Sequence, residues 1–78
     1  MSIAYILINY EIGTETEQET INKLKNVLGV VEVSKVNGVY DIVVKITSNA
    51  LDSLKETITR DIRTIDTIKS TMTLIAIK

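Results

Sequence analysis

Apolar and polar positions follow two different rhythms along the chain, and the switches between them mark out its elements. Residues 3–10, Ile-Ala-Tyr-Ile-Leu-Ile-Asn-Tyr, are apolar on both sides of an extended chain. Ala4, Ile6 and Ile8 point one way, Ile3, Tyr5 and Leu7 the other. A strand with two apolar faces belongs in the middle of a sheet and is covered on both sides. Parity alone does not say which set meets which cover. After Ile12-Gly13 the period lengthens. Ile21, Leu24, Val27 and Leu28 make one stripe, which predicts a helix over about residues 15–28. Thr14 and Glu17 have capping-box spacing. Glu15, Glu17 and Glu19 sit where a helix dipole favours negative charge, and Lys23 and Lys25 fall towards the opposite end. Their plain reading is a solvated, dipole-matched face. Gly29 is a natural helix stop.

Residues 30–36, Val-Val-Glu-Val-Ser-Lys-Val, form a second strand whose charges place it at a sheet edge. Asn37-Gly38 is a tight-turn dipeptide. It leads into a third strand over 39–47, with Ile42, Val44 and Ile46 on one face and Val39 and Val43 on the other. Ser48-Asn49 offers a cap to a second helix over about 50–64, striped by Leu51, Leu54, Ile58, Ile62 and Ile65. Asp66-Thr67 separates it from a last strand over 68–77. The order is βαββαβ. With right-handed crossovers this predicts an α+β, ferredoxin-like fold: a four-stranded antiparallel sheet with both helices on one face and the first and third strands central.

Size and composition narrow the function. At 78 residues the chain reads as a single domain, 1–78. A chain this small buries only about 60–65% of its unfolded surface and needs reinforcement. It has no cysteine and no histidine, which removes disulfides and the commonest zinc ligands, and no calcium-loop spacing is present. No cofactor is expected. Self-association remains. The second sheet face keeps apolar side chains, and about 400 Å² of such surface corresponds to about 10 kcal/mol of unrealised hydrophobic stabilisation. A sheet-to-sheet homodimer is the simple outcome. The net charge of −1 argues against direct nucleic-acid binding. Neither a membrane span nor a signal peptide is visible, and the expected location is the cytoplasm.

One anomaly stands in this aliphatic chain: a phenol and a carboxylate, Tyr40-Asp41, at the mouth of the third strand. Each has a bland reading. Gly38 serves the turn, Tyr40 is a strand aromatic, Asp41 is a solvated carboxylate, and Thr71 and Thr73 are β-formers. Only their joint pattern points to a site. In order, the strand Ala4–Ile8, Gly13, Leu24-Lys25-Asn26-Val27, Val30-Val31-Glu32-Val33, Gly38-x-Tyr40-Asp41 and Ser70-Thr71-x-Thr73 resemble the effector-binding (RAM) domain of the Lrp/AsnC, or feast–famine, transcription regulators. The resemblance covers essentially the whole chain. Two departures are visible. Asp66-Thr67 replaces a Pro-Gly pair frequent in the family, and no residues remain for a helix-turn-helix, as expected of a stand-alone form.

The resemblance implies dimers formed through their sheets and assembled into an octamer or decamer ring. A small-molecule effector, typically an amino acid, binds between dimers, and full-length regulators are possible partners. It also implies effector-binding residues: Asn37, Gly38, Val39, Tyr40 and Asp41 in the turn, with Thr71 and Thr73 on the last strand. The chemistry suits an amino acid. Asp41 can take an ammonium, the turn amides can donate to a carboxylate, Tyr40 can wall a pocket, and Thr71 and Thr73 share one strand face. With no nucleophile–base pair and no histidine or cysteine, an enzyme is not expected. A structural adaptor with an empty cleft and an ACT-like regulatory subunit are the alternatives.

Overall fold

The structure is a computed structural model and describes residues 1–11 and 16–76. Its elements are β1 (Ser2–Tyr10), α1 (Thr16–Lys25), β2 (Val30–Lys35), β3 (Ile42–Ser48), α2 (Leu51–Thr57) running on into a π-helical turn (Ile58–Ile62), and β4 (Ile68–Ile75). The sheet is antiparallel in the order β2-β3-β1-β4, so the two strands that are apolar on both faces are central, as the ferredoxin-like order requires.

Register settles the parity that the strand pattern left open. Ile6 stands opposite Val44 on one side and Thr73 on the other. Ala4, Ile6, Ile8, Ile42, Val44 and Ile46 are all buried beneath the helices. Ile21 and Leu24 of α1, with Leu54, Ile58 and Ile62 of the second helical segment, close the core from above. It is wholly aliphatic. The other sheet face carries Tyr5, Leu7, Val43, Met72 and Leu74, of which Tyr5, Met72 and Leu74 are exposed.

Several boundaries differ from the sequence expectation, each for a local reason. The α-helix of α1 ends at Lys25, not 28. Asn26, Val27 and Val30 then bond back three residues, at 3.1–3.2 Å, and this tighter winding turns Leu28 outward to 89% exposure. Gly29 follows at φ +94, where a Cβ would lie 2.7 Å from the Thr47 carbonyl, so both the backbone conformation and the close approach need glycine. The N-cap of α2 is Ala50, with no side-chain cap, because Ser48 is still paired in β3. The proposed Thr14 cap lies outside the described residues.

The spacing of Leu54, Ile58 and Ile62 is four and four. In an ideal α-helix this would rotate each successive side chain by about 40° away from the sheet. The wider π turn, in which the Arg63 N–H reaches the Ile58 carbonyl at 3.0 Å, leaves Ile58 and Ile62 both buried. The following Asp66-Thr67 loop, where the family often has Pro-Gly, is held to α1. The Thr20 and Thr67 hydroxyls, both buried, are 2.5 Å apart, and Asp66 pairs with Lys23 at 2.9 Å.

Candidate functional site

Asn37-Gly38 does not make the expected two-residue turn. Gly38 takes φ +145, but among the described residues no non-glycine has positive φ, so Asn37 does not adopt the conformation such a turn demands. Residues 36–41 instead form a longer loop, closed where the Val36 N–H donates to the Asp41 carbonyl at 2.9 Å. β3 therefore begins at Ile42, not 39, and β2 ends at Lys35, not 36. Val39, expected in the strand, is 85% exposed.

The loop is pulled from the β2–β3 ladder by contacts to β1. The Asp41 N–H donates to the Ile8 carbonyl at 2.9 Å, and Asp41 Oδ2 accepts the Tyr10 N–H at 3.3 Å. Tyr10 also holds the other end of the loop. Its hydroxyl donates to Glu17 Oε2 at 2.6 Å, and Glu17 Oε1 pairs with the ammonium of Lys35, the residue before the loop, at 2.6 Å. Tyr10 thus anchors the loop's entry through its phenol and the loop's exit through its amide. Glu17 is not merely a dipole-matched surface charge. The pair with Lys35, then the Tyr10 hydroxyl, holds its carboxyl below the usual range. The hydrogen bond to Glu17, followed by burial, pushes the Tyr10 phenol up to about 12.

A phenol whose protonated form is favoured by folding contributes stability in full below its unfolded pKa, and loses it as pH rises through the folded value. For Tyr10 that window runs from 10.0 to about 12. A spectroscopic titration of wild type minus Tyr10→Phe should show one phenolate appearing near the top of this window. Glu17→Gln should bring that midpoint back down, and an unmoved midpoint would remove Glu17 as the cause.

Among the described residues, the amides of Asn37, Gly38, Val39 and Tyr40 donate to no backbone carbonyl, and Asp41 Oδ1 accepts no hydrogen bond. The loop therefore presents free donors beside a carboxylate oxygen. Asn37, Gly38 and Val39 are exposed; Tyr40 and Asp41 are half-buried. The Tyr40 hydroxyl lies 3.9 Å from Met72 Sδ on the open sheet face. Thr71 and Thr73 stand opposite Ile8 and Ile6, on the helix side of edge strand β4. The expected residues thus gather at one end of the sheet, but Tyr40 and the two threonines lie on opposite faces of it. Tyr10, Glu17 and Lys35 were missed as site residues, since contacts between separate elements leave no local pattern.

A cleft of about 330 Å³ opens at the opposite end, lined by Leu28, Thr47, Ser48, Ser53 and Thr57 among others, and shares no residue with the loop. Among the described residues no cluster of His, Cys, Asp or Glu could hold a metal ion, and no helix is long and apolar enough to cross a membrane.

No curated protein matches the chain. Among solved structures it is similar to FFRP-DM1, at 38% identity and TM-score 0.91, covering 99% of this chain and 100% of that one. It is similar to the hypothetical protein PHS023 of Pyrococcus horikoshii, at 37% identity and TM-score 0.90, covering 100% and 92%. AsnC of E. coli matches at 28% identity and TM-score 0.87 over 99% of this chain, which spans 51% of AsnC. The family described as the Lrp/AsnC ligand binding domain matches residues 3–78. The chain belongs to the Lrp/AsnC ligand binding domain family, a family of regulatory effector-binding domains.

Proposed function

We propose that the chain senses an amino acid, or a closely related small molecule, and couples its binding to the assembly of sheet-paired dimers, modulating Lrp/AsnC-type regulators that join the same assembly. The observation that carries this reading is the pairing of opposite chemistries in one loop. The unengaged amides of 37–40 suit a ligand carboxylate, and the free oxygen of Asp41 suits its ammonium. Gly38, where a Cβ would meet nothing within 4 Å, leaves room for close approach. Tyr40 supplies a wall for the ligand side chain. Thr71 and Thr73, facing away from Tyr40 in one copy, would join such a site from a neighbouring dimer. A regulator that shares this fold, NMB0573 of Neisseria meningitidis, was crystallised as an L-Met complex.

The test is thermal unfolding against each common amino acid, with native mass measurement on any hit. A ligand at 100 times its dissociation constant stabilises by about 2.7 kcal/mol, a rise of about 10 °C or more for a chain of this size. Asp41→Asn keeps an acceptor for the Tyr10 amide and removes the charge. It should abolish the shift and leave the assembly mass unchanged, and a full shift in that variant would exclude the Asp41 role. A stable multimer with no hit at all would favour the structural adaptor.

A further inference from the structure

Five asparagines occur in the chain, and only Asn37 is followed by glycine. An asparagine is chemically labile because the backbone nitrogen of the next residue can attack its side-chain amide carbon. A side chain on that next residue crowds the attack, and a hydrogen bond that holds the nitrogen hinders it. The other four asparagines each meet such a restraint. Asn9 donates to the Ser70 hydroxyl at 3.3 Å, and the amide after it, of Tyr10, donates to Asp41 Oδ2. Asn22 lies inside α1, where its Oδ1 accepts from Gln18 at 3.0 Å. The amide after Asn26, of Val27, donates to the Leu24 carbonyl at 3.1 Å. Asn49 is exposed, but its neighbour Ala50 carries a methyl at the point of attack.

Asn37 meets none of these. It is exposed, and among the described residues its side chain makes no hydrogen bond and the Gly38 N–H reaches no acceptor. A Cβ built on Gly38 would touch nothing within 4 Å, so no packing fixes the peptide. The open loop matters here. A two-residue turn would close directly across the dipeptide, whereas this loop closes outside it, between Val36 and Asp41.

We propose that Asn37 is a site of spontaneous covalent modification, converting to aspartate and isoaspartate through attack of the Gly38 nitrogen, and that the conversion adds a negative charge to the loop that meets the effector. The conversion rests on the loop alone; its effect on binding rests on the effector reading above. The Gly38 nitrogen gives its proton to hydroxide and bonds to Asn37 Cγ. The Cγ–Nδ2 bond breaks, and Nδ2 leaves as ammonia with a proton from water, leaving a succinimide ring. Water then opens the ring and returns a proton to the Gly38 nitrogen. Breaking the nitrogen's bond to Cγ leaves aspartate. Breaking its bond to the Asn37 backbone carbonyl carbon leaves isoaspartate, whose main chain runs through Cβ and is one carbon longer. In sum, one water is consumed, one ammonia is released, and nothing is oxidised or reduced. Either product sets a carboxylate beside the amides of 37–40, where it repels a ligand carboxylate. A ligand that engages the Gly38 amide holds the nucleophile and slows the reaction, so the modification accumulates fastest in the empty site.

The experiment follows the full-length chain at mildly acid and mildly alkaline pH, folded and in denaturant, by isoelectric focusing and peptide mass. The net charge should pass from −1 to −2, one carboxylate being gained. The tryptic peptide 36–45, which holds no other asparagine, should exchange an amide for a carboxyl and split into aspartate and isoaspartate forms. Conversion should rise with pH, approach the rate of the denatured chain, and outrun every other asparagine. Asn37→Gln should remain unmodified, since its longer side chain must close a larger ring. An Asn37 that stays intact in the folded chain while the denatured chain converts would overturn the proposal, because the loop would then protect it. Conversion of Asn49 at the same rate would overturn it too. In the amino-acid screen Asn37→Asp should lose the thermal shift, and a ligand that binds should slow the conversion of wild type. A full shift in Asn37→Asp would overturn the effect on binding and leave the conversion standing. A wild type that answers no amino acid would remove the effector reading and that effect with it, and again leave the conversion standing.

Discussion

Ile6→Ala should cost about 3–4 kcal/mol and lower the midpoint of thermal unfolding by about 12–32 °C. Ile6 has no exposed surface, sits on a central strand between Val44 and Thr73, and lies beneath both helices. Truncating it removes three carbons from a site bounded on every side, where neighbours can close only part of the void. A chain of 78 residues has a total stability of about 4–12 kcal/mol, so the variant should be partly unfolded near body temperature. Denaturant titration at a fixed protein concentration checks this: the midpoint should fall with the slope unchanged. The next residue is the control. Leu7 points to the open face and is half-buried. Leu7→Ala should lose less, and what it loses should vary with protein concentration, because the proposed dimer covers that face. Equal, concentration-independent losses at both positions would mean that the two faces of β1 are covered within one chain.

Whether residue 6 or residue 7 faces the helices could not be read from the sequence, for a reason that belongs to the fold. A strand covered by helices on one side and, in the proposed dimer, by a second sheet on the other is apolar at every position, so alternation carries no sign. The same rule made β1 and β3 legible as central strands. Element order, the stop at Gly29 and the edge position of β2 were all legible because each rests on neighbours in sequence. The misplaced boundaries rest on distant ones. Residues 39–41 have strand-like composition, yet Asp41 gives its amide to Ile8 and its carboxylate to the Tyr10 amide, and the loop opens. Leu28 fits the helical stripe of Leu24, but the helix has already tightened and turned before it.

The candidate site shows the same division. Gly38, Tyr40 and Asp41 were visible as a polar interruption in an apolar run. The circuit that holds them, Tyr10 to Glu17 to Lys35, joins a strand end, a helix start and another strand end. Glu17 looked like one of three dipole-matching carboxylates, and no property of a single sequence distinguishes the one that has a phenol above it. Thr71 and Thr73 were correctly placed on one strand face. That this is the face away from Met72 and Tyr40 follows only from the β1–β4 register.

The open face supplies the second large effect. Leu74→Glu should weaken self-association by about a thousandfold or more. Leu74 is 50% exposed in the single chain and lies beside Tyr5 in the apolar half of the sheet. A carboxylate there finds no cation in its own row nearer than Lys45 on β3, two strands away. In a two-fold dimer the change enters twice, and each buried, unpaired carboxylate opposes association by about 2 kcal/mol or more, which together make the thousandfold. The single chain has no such conflict, because position 74 is half open to water. Its folding should be intact in circular dichroism at low temperature, with a thermal midpoint that no longer rises with concentration. Leu28→Glu is the matched control: Leu28 is more exposed, at 89%, but lies at the α1–β2 turn, off the sheet face. It should leave the assembly mass unchanged. If Leu74→Glu sediments like wild type while Leu28→Glu dissociates, association runs through the turn and not through the sheet.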